Sequence, residues 1–325
     1  MRGRESKLNV TRVSLIIPTF DRPHLLPRCV ESARAAGADV EVIVVDDAST
    51  DATREVCRGL DGITYVRLEH NQGVAGARNV GLLASTADYV AFLDDDDLRL
   101  PGSLDVQLTL LEADPEAAFV GGGVVLADQN LAPTGDVAVP RAASGDVFWQ
   151  VLELGVHLIP SSVVVRKACL FEVGLFDRRI PGIDDWDMWA RLAESRPVVL
   201  DERPVCVYRS PTPGSGQGSS ALGRHMLAAV RHQANLLSLP RALAAPAGRR
   251  RDARRNTRRR VADTLSWRAA EQLPRGAFRF AASSFAAALR ISPLWAARPT
   301  HFRVLFRGLA ALLAERNARA SPPPT

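Results

Sequence analysis

The chain has 325 residues, 46% of them hydrophobic and 24% charged, with a net charge of +5, an ordinary soluble composition that exceeds one typical domain. Its first nine residues lack the apolar stretch of a secretory signal, and no apolar run approaches the roughly 20 residues of a membrane span, so secreted and membrane-spanning classes are not expected. The four cysteines, Cys29, Cys57, Cys169 and Cys206, are scattered without a C-x-x-C pair, which argues against a zinc site or a disulfide framework and for a cytoplasmic protein with reduced thiols.

Charge is unevenly spread. From residue 241 onward 18 arginines face four acidic residues, whereas the first 240 residues hold 23 Lys and Arg against 32 Asp and Glu. An acidic body followed by a basic tail is expected.

In chain order, Val13 to Pro18 reads as a strand, His24 to Ala36 as a helix, and Val42 to Val45 as a second strand. Ala52 to Arg58 is a short helix, Ile63 to Leu68 a third strand, Val74 to Ala84 a helix, and Tyr89 to Leu93 a fourth strand. Near-continuous Val/Ile/Leu runs joined by helices predict a parallel sheet covered on both faces. Ser103 to Glu112 then reads as a helix, Phe119 to Leu126 as a glycine-interrupted strand, and Val163 to Val165 and Val205 to Tyr208 as strands around a helix at Trp186 to Glu194. Residues 211–220 (PTPGSGQGSS) read as a mobile loop. Beyond them the chain is Ala/Arg/Leu-rich and helical, with a break at Pro240 to Gly248 and a disordered end at Pro322 to Pro324.

In open sheets of this kind, ligands bind beyond the carboxyl ends of the strands. Polar residues follow three of the four early strands at that end: Thr19 and Asp21, Asp46 and Asp47, and the run Asp94-Asp95-Asp96-Asp97. Four adjacent carboxylates repel one another, and a divalent cation carrying a diphosphate would relieve the repulsion. Hard oxygen ligands suit Mg²⁺ or Mn²⁺, which take one or two carboxylates and fill the rest of the shell with water and phosphate oxygens.

The segments SLIIPTFDR (14–22), VIVVDDASTD (42–51), GVAGARNVGL (73–82), YVAFLDDDD (89–97), GLFD (174–177) and DDWDMWARL (184–192) occur in order. Together they resemble the nucleotide-sugar-dependent family 2 glycosyltransferases of the GT-A fold, over roughly Val13 to Arg209. The resemblance implies an α/β, Rossmann-like, mostly parallel sheet with helices on both faces, plus a C-terminal helical extension. The corresponding organisation is a tail at 1–12, a GT-A domain at 13–210, a linker at 211–220 and a basic helical extension at 221–325.

It also implies roles. Thr19 would approach the nucleotide base, and Asp47 would hydrogen-bond the base or ribose. Arg78, with Asn79, would lie near the donor, where a guanidinium suits both the diphosphate and the acidic run. The D-x-D pattern maps most simply onto Asp94 and Asp96, with Asp96 as the direct metal ligand. Asp94 or Asp95 would contact ribose or reach the metal through water, and Asp97 would cap the following segment. Asp185 is by position the catalytic base of a single inverting displacement, with Asp187 stabilising the helix start; the plain alternative is that Asp184, Asp185 and Asp187 all do so. Asp21 is expected to cap the first helix with Pro23 in its first turn, Ser49 and Asp51 to serve as capping and turn residues, and Trp186 and Trp189 to pack.

One departure stands out. Many relatives place a histidine shortly after a late Tyr-Arg pair, but Tyr208-Arg209 is followed by none before His225. Either Arg209 and the Ser/Gly loop contact the diphosphate, or metal binding is weaker than usual. Donor and acceptor are expected to be a UDP-sugar and a glycan, lipid-linked or small-molecule hydroxyl, in polysaccharide or glycoconjugate biosynthesis. Acceptor loops are expected between Val125 and Pro160.

In the tail, the arginines at 249–260 form a basic cluster, and Phe302, Leu305, Phe306, Leu309, Leu312 and Leu313 share one helical face. A helical bundle with a solvated basic face is the plain reading, and a peripheral contact with the inner face of the cell membrane comes next. Nucleic acid is not expected, because no recognised binding module accompanies the arginines. Two rival readings remain: a non-catalytic nucleotide-fold scaffold or membrane-surface protein, and a nucleotidyltransferase.

Overall fold

The computed structural model describes residues 12–210, 219–273, 276–303, 306 and 310. Residues 1–11 of the tail expected at 1–12, most of the 211–220 linker, Leu305, Leu309, Leu312, Leu313 and Pro322 to Pro324 lie outside them. The chain divides into two units, residues 1–151 with 156–210, and residues 152–155 with 211–325.

The first unit is built on one nine-stranded sheet. Its strands are β1 (Val13–Thr19), β2 (Val40–Asp46), β3 (Ile63–Arg67), β4 (Tyr89–Phe92), β5 (Leu98–Arg99), β6 (Phe119–Ala127), β7 (Pro133–Ala138), β8 (Val163–Arg166) and β9 (Val198–Arg209). The order is β3-β2-β1-β4-β8-β6-β9-β5, with β7 on β6. The ladders joining β3, β2, β1 and β4 are all parallel. Beyond β4 the sheet is mixed: β8 runs antiparallel to β4 and β6, and β9 is parallel to β6.

Every residue of β1 is buried, as its position between two parallel neighbours demands. The helices are α1 (Leu26–Ala35), α2 (Thr53–Arg58), α3 (Gly73–Ala84), α4 (Ser103–Ala113), α5 (Phe148–Leu152), α6 (Lys167–Val173) and α7 (Asp184–Ser195). α3 lies so close to the sheet that a Cβ on Gly81 would sit 2.4 Å from the Ile16 side chain. Gly123 likewise lets β6 pass β9, since a Cβ there would meet the Glu202 carbonyl at 2.6 Å. The main core cluster packs Leu26, Cys29, Val30 and Ala33 of α1 with Leu104, Leu108 and Leu111 of α4 and with Leu15, Ile17, Val42 and Val44 of the sheet. Trp189 packs against Phe92, Phe119 and Phe176, and the Trp186 indole donates to the Val151 carbonyl at 2.8 Å; both tryptophans are buried. All four cysteines are buried free thiols.

The second unit is helical: α8 (Ser219–Leu236), α9 (Pro240–Ala244), α10 (Ala247–Gln272), α11 (Phe278–Ile291) and α12 (Pro293–Ala296). Its core joins Val261, Ala262 and Leu265 of α10 to Ala288 and Ala296. The break expected at 240–248 is instead two brief interruptions flanking α9, because Pro240 starts that helix and Pro246 precedes α10. Within this unit Glu153 accepts from Arg249 and from Asn256. No helix among the described residues is long and apolar enough to cross a membrane.

Candidate active site at the carboxyl ends of the strands

Register brings the polar residues together. Thr19 pairs with Asp46 across β1 and β2, the Asp47 N–H donates to the Thr19 carbonyl at 2.9 Å, and the Leu93 N–H donates to the Ile16 carbonyl at 3.0 Å. The ends of β1 and β2 therefore finish at one level, and β4 ends at Phe92 opposite Ile16, so the residues after it rise alongside the last residues of β1.

The two aspartates after β2 differ. Asp46 is fully buried and saturated, accepting from the Ser49 N–H at 2.7 Å, the Tyr65 hydroxyl at 2.7 Å and Arg67 at 3.2 Å. Asp47 accepts from the Gln72 N–H at 2.7 Å through Oδ1. Burial raises its carboxyl above the ordinary range, against the backbone donors of Gln72 and Gly73. Asp51 is the turn residue expected of it, accepting from Thr53.

Asp21 is not a helix cap. It adopts a left-handed φ of 51°, its N–H donates to the Ser49 hydroxyl at 3.0 Å, and its carboxylate accepts from the Thr50 N–H at 2.7 Å. It ties the β1–α1 turn to the β2–α2 turn, while α1 begins at Leu26 with no side-chain cap. Asn79 is likewise structural, clamping both the N–H and the carbonyl of Phe176 at 2.9 Å.

The acidic run alternates. Asp94 and Asp96 are 34% and 20% exposed, whereas Asp95 is at 5% and Asp97 at 1%. Asp95 accepts from the Thr19 hydroxyl at 2.8 Å and from Arg22 at 2.8 Å; burial pushes its carboxyl up to about 6, against the pull of Arg22. Asp96 is also raised, by burial first and then by Asp94, and its partner is the same Arg22 nitrogen at 3.1 Å. Asp97 does not cap the following segment. It accepts from the Ser161 hydroxyl at 2.6 Å and the Arg209 N–H at 3.0 Å, bracing the run against β9. Protein donors offset part of the repulsion expected from sequence, with Arg78 taking Asp94 at 2.7 Å, while Asp94 still raises the Asp96 carboxyl.

Arg78 makes the second connection. Its guanidinium, buried to 4% exposure, reaches Asp94 at 2.7 Å and Asp184 at 2.9 Å. Burial opposes its charge, but Asp94, Asp184 and Asp185 outweigh that penalty and raise it above its ordinary value. Asp185 opens α7 beside this pair and accepts from the Trp186 N–H at 2.7 Å. Burial, then Asp184, push its carboxyl up to about 7, with Arg78 opposing. Asp187 pairs with Arg191 at 2.8 Å, and Arg191 in turn donates to the carbonyls of Val173, Gly174 and Leu175, fixing the 174–177 turn.

Arg209 ends β9, with its Nε donating to the Gln129 carbonyl at 2.6 Å. A cleft beside Asp96 is lined by His24, Arg28, Gln129, Asn130 and Arg209. Among the described residues no three His, Cys, Asp or Glu side chains converge on one metal position. The exposed pair Asp94 and Asp96 nonetheless offers the all-oxygen, partly open donor set from which Mg²⁺ or Mn²⁺ builds a shell with phosphate and water.

Sequence reasoning missed Arg22 and Ser161. Arg22 stands within the 14–22 segment, where a basic residue just after a strand-end turn was the available signal. Ser161 accepts from the Asp94 N–H at 3.1 Å and donates to Asp97; no local pattern marks it.

Residues 14–134 match the family model described as Glycosyl transferase family 2. An uncharacterized glycosyltransferase of Haemophilus influenzae is 35% identical over 185 residues, 56% of this chain and 62% of its own length. An uncharacterized glycosyltransferase of Rickettsia felis is 26% identical over 226 residues, 66% of this chain and 36% of its own length. The chain therefore spans about one third to three fifths of the length of these two curated relatives. Among solved structures, the mannosyltransferase PcManGT of Pyrobaculum calidifontis, in complex with GDP-Man and Mn²⁺, superposes with a TM-score of 0.55 at 19% identity, over 96% of this chain and 88% of that one.

Proposed function

We propose that the first unit, whose residues 14–134 match the model of glycosyl transferase family 2, transfers a sugar from a nucleotide diphosphate, a UDP-sugar, to an acceptor hydroxyl with inversion. The observation that carries the proposal is the Arg78 guanidinium shared between Asp94 and Asp184. It couples the acidic run, which would hold the donor, to the helix start bearing Asp185.

In this reading Thr19 and Asp47 meet the base and ribose, with the Asp47 carboxylate held in place by the Gln72 N–H at 2.7 Å. Asp96 and Asp94 would hold Mn²⁺ or Mg²⁺, with Asp95 kept back by Thr19 and Arg22. The bound cation would supply charge neutralisation of the leaving diphosphate. Arg209 supplies a further positive charge beside Asp96, which suits the diphosphate in place of the absent histidine. Asp185 removes the acceptor proton as the hydroxyl oxygen attacks the anomeric carbon and the bond to the diphosphate breaks. A carboxyl held near 7 is matched to that work, since a general base is most effective when its affinity for the proton lies near the working pH.

Acceptors in this reading are glycans, lipid-linked sugars or small molecules, and the protein works at the cytoplasmic side, held at an anionic membrane by its second unit. Exposed Arg251, Arg254, Arg255 and Arg258 on α10, with exposed Phe278, Phe302 and Phe306, support that attachment. The deciding experiment is nucleotide release from a panel of UDP- and GDP-sugars, with and without Mn²⁺. Metal-stimulated release from one donor by wild type, lost in Asp185→Asn, is expected. Release unaffected by Asp185→Asn would move the base elsewhere.

A further inference from the structure

We infer that Arg22 is a resident counter-cation that weakens divalent metal binding until the nucleotide diphosphate arrives, so that metal and donor load as a coupled pair. This rests on the family 2 reading above and extends it to the order of loading. One Arg22 nitrogen lies 2.8 Å from Asp95 Oδ1 and 3.1 Å from Asp96 Oδ2, so it already occupies Asp96, one of the two carboxylates proposed for the cation.

The arginine is aimed there by its backbone. Asp21, left-handed at a φ of 51°, is pinned to Ser49 and Thr50, and the Arg22 carbonyl accepts from the Leu25 N–H at 3.2 Å. The turn therefore folds Arg22 back over the end of β1.

The two carboxylates respond differently. Asp95 has its second oxygen on Thr19 and is 5% exposed, so it stays with Arg22. Asp96 is 20% exposed and can exchange the guanidinium for a metal.

Charge balance sets the order. The carboxylates Asp94 to Asp97 share the guanidiniums of Arg22, Arg78 and Arg209, and Arg78 is also committed to Asp184, so Arg22 is the cation that stands over Asp96. A bare divalent ion at Asp96 must displace the Arg22 guanidinium and is repelled by it. A sugar nucleotide brings two negative charges on its diphosphate, so metal and donor together add no net positive charge beside Arg22. Even at water-like screening, a divalent ion a few ångströms from a guanidinium is repelled by about a factor of ten in affinity.

The test is Mn²⁺ binding measured by electron paramagnetic resonance on wild type and Arg22→Gln, with and without UDP, after correction for the Mn²⁺–UDP complex formed in buffer. Wild type should bind Mn²⁺ weakly alone and at least about tenfold more tightly with UDP. Arg22→Gln should bind Mn²⁺ alone about tenfold more tightly than wild type, and the enhancement by UDP should shrink. A folded Arg22→Gln that binds Mn²⁺ alone no more tightly than wild type overturns the inference and leaves the glycosyltransferase reading standing. Wild type that binds Mn²⁺ equally well with and without UDP overturns it without recourse to any variant. Wild type that binds Mn²⁺ under neither condition removes the metal-dependent reading, and this inference with it.

Discussion

Arg78 and Asp184 form a buried ion pair, Nη1 to Oδ2 at 2.9 Å, with side chains exposed by 4% and 2%. They stand 106 residues apart in the chain. The pair joins α3 to the start of α7, and the other arm of the guanidinium holds Asp94 of the acidic run. One side chain thus sets the position of both halves of the site.

Removing that cation leaves buried carboxylates uncompensated, which costs about 3–5 kcal/mol when one partner of a buried pair is lost. Arg78→Met should therefore lower the urea midpoint by that equivalent. The loss should shrink at pH 5, where protonation of the orphaned carboxylates becomes possible. A midpoint unchanged at pH 8 would show that the pair carries little stability.

The Asp185 carboxyl gives stability a definite slope with pH. Its folded value, about 7, lies above the ordinary 3.8, so the native state binds a proton that the unfolded chain does not between those values. Stability is then greatest at the acid side and falls as pH rises through 7. Turnover runs the other way, because a base must be deprotonated: kcat/KM should fall below about pH 7. Thermal melts and rate profiles of wild type and Asp185→Asn, which should lose the corresponding slope, check both signs.

Asp96 and Asp97 should separate function from structure. Asp96 is partly exposed with Arg22 as its ion-pair partner, so Asp96→Ala should melt within a few degrees of wild type and lose Mn²⁺-dependent nucleotide binding. Asp97 is buried at 1% and braces Ser161 and Arg209. Asp97→Ala should destabilise by about 1–3 kcal/mol through the unsatisfied partners it leaves. Differential scanning fluorimetry with a Mn²⁺ and UDP titration distinguishes the two.

The second unit predicts salt-sensitive adhesion. Liposomes carrying anionic lipid should sediment the protein at low salt and release it as screening shortens toward about 8 Å near physiological ionic strength. Phe302→Ser/Phe306→Ser should weaken binding while the protein stays monodisperse. Absence of binding at low salt would remove the membrane proposal.

The parallel half of the fold was legible because β1, β2 and β4 are buried apolar runs whose polar ends mark one edge of the sheet. Of the helices between them, α1 shows a clear period, with Leu26, Cys29, Val30 and Ala33 buried. β5 has two residues, and β7 (PTGDVA) is an exposed strand carrying Pro and Gly; neither shows the alternation that reveals a strand. α5 and α6 are too short, at five and seven residues, to display a helical period. That Thr19, Asp47 and the run Asp94 to Asp97 gather at one edge of the sheet could be read from their places after strands. The partners of the acidic run could not: Ser161 reaches Asp97 across 64 residues, and Arg22 depends on a left-handed Asp21 that no local rule prescribes. The alternating exposure of the run, which sets Asp94 and Asp96 apart from Asp95 and Asp97, was not legible in the sequence either.

The measurement that bears most directly on the proposed activity is single-turnover transfer by Asp185→Asn, with donor affinity measured on the same preparation. Replacing the carboxylate by an amide keeps its shape and removes its basicity. The account predicts that Mn²⁺-dependent nucleotide-sugar affinity stays within a few-fold of wild type while the transfer rate falls by about 10²-fold or more. Transfer at near wild-type rate, or an equal loss in Asp187→Asn, whose carboxylate is committed to Arg191, would contradict it.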